Sequence, residues 1–99
     1  MSFEVVFTET ALQAYVAIPD WRIQRVDSTI DALGLAPWVG RVYDPVYEAA
    51  RPPFEVRVVY ADIYGIYYTV DEDASTVVIR FIEDQRMDPA TRFVGRLGG

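Results

Sequence analysis

The fold is decided by residues 54–86, FEVRVVYADIYGIYYTVDEDASTVVIRFIEDQR. Apolar residues alternate with polar or small ones in three runs, which is the period-2 pattern of β-strands. Ala61-Asp62 and the acidic segment 71–75 separate the runs and are typical of tight turns. Three strands joined this closely predict an antiparallel meander. The residues expected to face the core are Phe54, Val56, Val58, Tyr64, Ile66, Tyr68, Val70, Val77, Ile79 and Phe81.

The N-terminal third of the chain predicts one strand and two helices. Residues 2–8 alternate as a strand does, and either Thr8 or Thr10 is suited to cap the helix that follows. Pro19 ends that helix, because its ring clashes with the preceding turn and it lacks an N–H group. Asp20 is the expected cap of a second helix. The short break between the helices predicts that they pack as an antiparallel pair.

The remaining segments are less regular. Residues 35–53 contain prolines and glycines that exclude any long regular element, so a loop is expected there. Asp88 and Pro89 form a good cap and first turn for a short C-terminal helix through Phe93 that ends at Gly95. The sequence therefore predicts an α+β fold in one domain over residues 1–99. It consists of an antiparallel sheet of about four strands, an N-terminal helical hairpin and a short C-terminal helix.

Composition excludes several kinds of site. The 99 residues include no cysteine and no histidine, so thiolate and imidazole ligands or nucleophiles are absent and we expect no cofactor and no metal. The net charge is −6 and all nine basic residues are arginines, so nucleic acid would be repelled except at a local arginine cluster. No apolar run is long enough for a membrane span, and a cytoplasmic protein without a membrane partner is expected.

One group of polar residues has the composition of a catalytic site for RNA. Cleavage through the 2′-hydroxyl needs a base, cations that stabilise the phosphorane, and an acid. Glu55 could act as the base and Arg57 with Arg86 as the clamp, while Tyr67 could stack on a base or donate a proton. The alternative is that these charges form cross-strand ion pairs on a solvated face. The face opposite the predicted core gathers Glu55, Arg57, Tyr67, Thr69 and Arg80, with Arg86 just beyond the last strand.

The order of these elements resembles the RelE/ParE toxin superfamily. A strand, two helices, a long loop, a three-strand meander and late basic residues follow one another as in that family. The segments that carry the resemblance are FEVVFT at 3–8, Ile18-Pro19, IDAL at 30–33, Pro37 with Gly40, YGIYY at 64–68 beside the family's central-strand YR(I/V)xY, the acidic turn at 71–73, and Arg86.

The resemblance implies the toxin component of a type II toxin–antitoxin system. Such a protein is held by a cognate antitoxin in a hetero-oligomer and inhibits growth through ribosome-dependent mRNA cleavage or through DNA gyrase. An alternative is a catalytically silent protein of the same fold that binds a partner peptide.

Two positions match the basic residues of the RNase branch and three do not. Arg57 and Arg86 match, whereas Glu55 stands where lysine is common, Gly65 replaces the central arginine, and no tyrosine follows Arg86. Since each charge contact at a reacting phosphate contributes roughly a hundredfold to a thousandfold in rate, these departures predict weak mRNA endonuclease activity.

Overall fold

A five-stranded sheet with two helices on one face forms the structure, a computed structural model that describes residues 2–45 and 51–93. The spatial order of the strands is β1-β5-β4-β3-β2. The elements are β1 Glu4–Phe7, α1 Glu9–Val16, α2 Asp20–Leu35, β2 Arg41–Val42, β3 Arg57–Ala61, β4 Tyr64–Asp71, β5 Thr76–Asp84 and a 3-10 turn at Pro89–Thr91.

The α+β class and the meander of β3, β4 and β5 are confirmed, while the sheet differs from expectation in two details. The short strand β2 adds a fifth member, antiparallel to β3. The sheet is also mixed, because β1 pairs with β5 in parallel. A parallel pair requires a long crossover connection. The two helices and the meander together supply that connection.

The helices begin where local chemistry allows. Thr8 is the cap of α1, and its hydroxyl accepts a hydrogen bond from the Ala11 amide at 3.2 Å. The expected cap of α2 is displaced by one residue: Pro19 holds the cap position, without a side-chain cap, and Asp20 is the first helical residue. The Tyr15 hydroxyl of α1 donates a hydrogen bond to the Asp27 carboxylate of α2, which ties the two helices together.

The sheet is buried on both faces. The helix face is the surface beneath α1 and α2, and the outer face is the opposite one. Val26, Ile30 and Leu33 of α2 pack on the helix face, and the sheet supplies Ile66, Tyr68, Val77, Ile79 and Ile82 there. A second cluster fills the outer face and consists of Val56, Val58, Tyr67, Phe81 and Phe93, with Tyr43 packed against it.

The prediction that Val56 and Val58 face the same core as Ile66 and Tyr68, beneath the helices, is wrong, and so is the same prediction for Phe54. Val58 pairs with Tyr67, and paired residues of antiparallel strands project to the same face, which is the outer one. The helix face takes the other set of β3 side chains, including Val59 and Ala61. The alternation predicts that β3 is a strand. It does not indicate which set of its side chains faces the helices, because both faces of this sheet bury apolar side chains.

A β-bulge reverses the pattern in β5. Tyr67 pairs with Phe81 and Tyr68 pairs with Ile79, so Arg80 lies unpaired between them. Phe81 therefore projects to the outer face and Ile82 to the helix face, opposite to a strict alternation.

The end of the described chain is a 3-10 turn rather than an α-helix. The Asp88 side chain caps it by accepting a hydrogen bond from the Ala90 amide at 2.9 Å, as its sequence predicts. The predicted end at Gly95 lies outside the described residues. Among the residues that the structure describes, none of the helices has the length and apolar character needed to cross a membrane.

Candidate functional site

Arg57 lies on the helix face, away from the other predicted site residues. It pairs with Tyr68 across the strands, and its Nη1 donates a hydrogen bond to the Gly40 carbonyl at 2.5 Å. The guanidinium carbon lies 4.9 Å from the centre of the Trp38 ring. Arg57 therefore holds the loop that follows α2 against the edge of the sheet.

Tyr67 lies on the outer face but is sealed from solvent. Its side chain has 0% exposure, and the rings of Tyr43 and Phe93 pack edge-on against it at 4.9 and 5.0 Å. Gln85 Nε2 donates a hydrogen bond to its hydroxyl at 3.2 Å. Burial raises the pKa of Tyr67 to about 12. A phenol in this position can neither stack on a base nor exchange protons with solvent while it stays covered.

The other two predicted residues lie at separate places on the surface. Glu55 is exposed in the segment that precedes β3. Arg86 follows β5, where its Nε and Nη2 bind the Asp84 carboxylate at 3.1 and 2.8 Å. The Arg86 guanidinium holds the pKa of the Asp84 carboxyl below its usual range.

The expected convergence of Glu55, Arg57, Tyr67 and Arg86 over one surface is therefore wrong. Arg57 is aligned with Tyr68 of β4, whereas Asp84, the partner of Arg86, is aligned with Tyr64. Four residues of strand separate these positions by roughly 13 Å. The four residues are too far apart to act as one catalytic group. Their separate roles stay predictions.

Gly65 occupies a position with no room for a side chain. A Cβ there would lie 2.6 Å from Gln85 Nε2 and 2.9 Å from both the Cε1 and the hydroxyl of Tyr67. A side chain at this position would therefore have to displace Tyr67 or Gln85.

A different set of polar residues gathers on the outer face. Glu83 Oε1 accepts a hydrogen bond from the Phe93 amide at 2.8 Å, and Arg92 Nη2 lies 3.5 Å from the Gln85 carbonyl. Burial raises the pKa of Glu83 above its ordinary value, although the Phe93 amide and Arg92 oppose that rise. The cost of removing this carboxylate from water therefore outweighs the stabilisation that it receives from the Phe93 amide and from Arg92.

Arg80 is placed at the edge of the same face by the bulge. Its Nε donates to the Thr69 hydroxyl at 3.1 Å, and its guanidinium carbon lies 5.1 Å from the centre of the Phe54 ring. Phe54 stacks on Phe81 at 6.3 Å and remains 42% exposed. The predicted neighbourhood of Thr69 and Arg80 is confirmed, and an accessible ring stands beside it.

Sequence reasoning missed Glu83, Gln85, Arg92 and Phe93 as neighbours of Tyr67. The faces of Glu83 and Gln85 depend on the bulge at Arg80, which no local pattern indicates. A weak signal for Phe93 was present, since an aromatic residue follows Arg86 at a short distance even though no tyrosine does.

Comparisons with solved structures identify the architecture. The isolated RelE toxin of Escherichia coli aligns with a TM-score of 0.70 and 10% identity over 88% of each chain. A chain of the RelBE2 toxin–antitoxin complex of Mycobacterium tuberculosis aligns with a TM-score of 0.68 and 21% identity, over 85% of this chain and 99% of that one. A chain of the archaeal RelE–RelB complex of Pyrococcus horikoshii gives 0.64 and 14%, over 89% and 100%.

No protein-family model matches the sequence, and no curated protein matches it. The likeness is therefore one of three-dimensional structure. It covers 85–89% of this chain in these three alignments. The chain has the fold of the RelE toxins.

Proposed function

We propose that this chain is the toxin component of a type II toxin–antitoxin system. In this proposal it inhibits growth in the cytoplasm when free and is held by a cognate antitoxin in a hetero-oligomer. The observation that carries the proposal is the alignment with the isolated E. coli RelE toxin at a TM-score of 0.70 over 88% of each chain. The alignments with chains of RelE–RelB complexes support an antitoxin as the partner.

The partner segment of the antitoxin should be basic. The net charge of −6 favours a cationic partner, because opposite charges accelerate encounter and disfavour wrong partners. A segment that wraps the domain as an amphipathic helix or an added strand would meet this requirement if it carried lysines or arginines.

Ribosome-bound mRNA is the target that we propose first, and DNA gyrase is the alternative. Arg80 lies beside the exposed Phe54 ring, and Arg92 lies close to Tyr67. Rings and arginines together are what single-stranded nucleic acid needs for stacking and for phosphate contacts. The arginines of this face are thus candidates for RNA contacts in addition to the predicted Arg57 and Arg86.

A catalytically silent binding protein is the second candidate function. Two observations favour it: Tyr67 is fully buried, and Arg57 lies on the helix face, so the predicted catalytic group is not assembled. Such a protein would still bind an antitoxin-like peptide but would not arrest growth.

Induced expression in a bacterial host separates these functions. We expect growth arrest that co-expression of the adjacent gene relieves, together with cleaved mRNA ends mapped by primer extension. Arrest with intact mRNA and altered plasmid supercoiling would instead indicate gyrase. Unimpaired growth at an equal level of folded protein would support the silent binder.

Single substitutions test the predicted residues within the same assay. Arg57→Ala and Arg86→Ala should each weaken arrest if they contact the target, whereas Arg25→Ala, on the exposed side of α2, serves as the matched control. Arrest that persists at full strength in both variants would remove Arg57 and Arg86 from the mechanism.

A further inference from the structure

Residues 88–93, which we call the strap, close over the outer face and insert Phe93 into it. The Phe93 side chain has 0% exposure. Its ring lies edge-on at 4.9 Å from Phe81 and 5.0 Å from Tyr67. Val56 and Val58 belong to the same cluster. The Phe93 side chain of the strap therefore fills an apolar pocket, which we call the socket, formed by side chains of the sheet.

Two features of the strap oppose this closed position. Phe93 has a φ of 63°, in the left-handed region that an aromatic residue rarely adopts. Arg92 Nε is buried without a hydrogen-bond partner in the described part of the chain. Strained backbone persists only where its surroundings hold it in place. The closed strap therefore depends on the Phe93 ring and on the 2.8 Å hydrogen bond from the Phe93 amide to Glu83.

The covered surface has the composition of a binding site for single-stranded nucleic acid. Beneath the strap lie the Tyr67 and Phe81 rings, on which bases could stack. Arg80 stands at the edge of this surface, where it is only half-buried. Its Nε is oriented by Thr69, and its guanidinium faces the exposed Phe54 ring. In the closed state the Phe93 ring covers the Tyr67 and Phe81 rings edge-on.

We propose that the strap is autoinhibitory: Phe93 occupies a base-stacking site for single-stranded RNA, and the strap opens without unfolding of the sheet before RNA binds. This inference goes beyond the proposed function. Its tests use the isolated protein, with no ribosome, antitoxin or growth assay. If the strap proposal fails these tests, the proposed toxin function is unaffected, and if the toxin function fails the growth assay, the strap proposal is unaffected.

Amide hydrogen exchange of the wild-type protein tests the opening. The Phe93 amide should exchange roughly ten- to a hundredfold faster than the slowest amides of β4 and β5, because its strained backbone favours local opening. Equal protection of Phe93 and of these strand amides would overturn the proposal, since Phe93 would then leave its socket only when the sheet unfolds.

Binding of a short fluorescent oligoadenylate tests the masked site. Phe93→Ala should bind the oligoadenylate at least about tenfold more tightly than the wild type does, because the oligoadenylate no longer competes with the Phe93 ring for the site. The affinity should fall as salt is raised. Phe54→Ala removes an exposed ring of the same surface without changing the strap, so it should weaken binding of the oligoadenylate and give no increase.

Phe93→Leu provides a variant that keeps apolar volume in the socket if Phe93→Ala does not fold. It should show a smaller increase in oligoadenylate affinity. A folded variant, judged by circular dichroism and a cooperative melt, with no gain over the wild type would refute the strap as an inhibitor. An equal gain in Phe54→Ala would do the same.

Discussion

The hydroxyl group of Tyr68 accepts a hydrogen bond from the Gly40 amide at 2.9 Å and is buried beneath the loop that follows α2. The same hydroxyl donates to the Pro37 carbonyl at 2.8 Å. One side chain of the central strand thereby satisfies two backbone groups of a loop that has no regular structure of its own. The loop is held by the sheet through this hydroxyl.

Removal of that hydroxyl should destabilise the protein. Tyr68→Phe leaves the Gly40 N–H and the Pro37 carbonyl buried without a partner, which typically costs about 1–3 kcal/mol. Urea denaturation should show a lower midpoint with an unchanged slope. Tyr60→Phe is the control, because Tyr60 is 48% exposed and should change stability by less than about 0.5 kcal/mol. Equal effects of both substitutions would contradict this role.

Gly65 should not tolerate even a methyl group. Gly65→Ala forces the new Cβ against Tyr67 and Gln85, and overpacking of this kind costs about 1–3 kcal/mol. Thermal or urea denaturation measures the loss. Gln85→Ala added to Gly65→Ala should recover part of the stability, since the contact of 2.6 Å is with the Gln85 amide. No recovery would show that Tyr67 alone excludes the side chain.

Tyr67 should make the fold sensitive to alkali. Its folded pKa is raised to about 12 from an ordinary value of 10.0, so the folded state retains a proton that the unfolded state releases. The stabilisation is complete below about pH 10 and is lost as the pH rises towards about 12. Tyr67→Phe should flatten this part of the stability profile. Tyr15 and Tyr68 also have raised pKa values, so the difference between the two profiles isolates Tyr67.

Glu83 should make the protein less stable as the pH rises through the range in which carboxyl groups titrate, whereas a salt-bridged acid makes a protein more stable there. Its folded pKa is raised by burial, so the folded state binds the proton more tightly and stability falls as the pH rises from about 4.5 through the folded pKa. Glu83→Gln keeps an oxygen for the Phe93 amide but removes the partly buried charge. We expect it to be more stable than the wild type at neutral pH, with the difference shrinking in acid. A pH-independent difference would assign the effect to packing.

The periodicity of the sequence predicted the elements well, because each strand of the meander has clear alternation and Pro19 separates two amphipathic helices. It could not predict the face on which β3 projects its side chains. Val56 and Val58 are as apolar as Val59, and a sheet covered on both sides can bury either set. The expectation that Arg57 lies on the same face as Tyr67 was wrong for this reason.

The candidate site was less predictable than the fold. The neighbours of Tyr67 depend on a bulge and on a C-terminal strap, and both are set by contacts between residues distant in the chain. The ion pair of Arg86 is a local contact by contrast. Its partner Asp84 is only two residues away, so this pair could have been predicted from the sequence. Residue types alone did not show that Asp84 is aligned with Tyr64, a residue of the helix-face core.

Because Arg80 is the unpaired residue of the bulge, β5 should tolerate the deletion of this one residue. Ile79 and Phe81 project to opposite faces, so removal of Arg80 would join them as ordinary neighbours and every apolar side chain of the strand would keep its face. The packing of the sheet therefore does not require Arg80. Arg80 instead contributes its carbonyl, which accepts a hydrogen bond from the Thr8 hydroxyl at 3.1 Å, and its guanidinium, which lies at the surface beside Thr69 and Phe54.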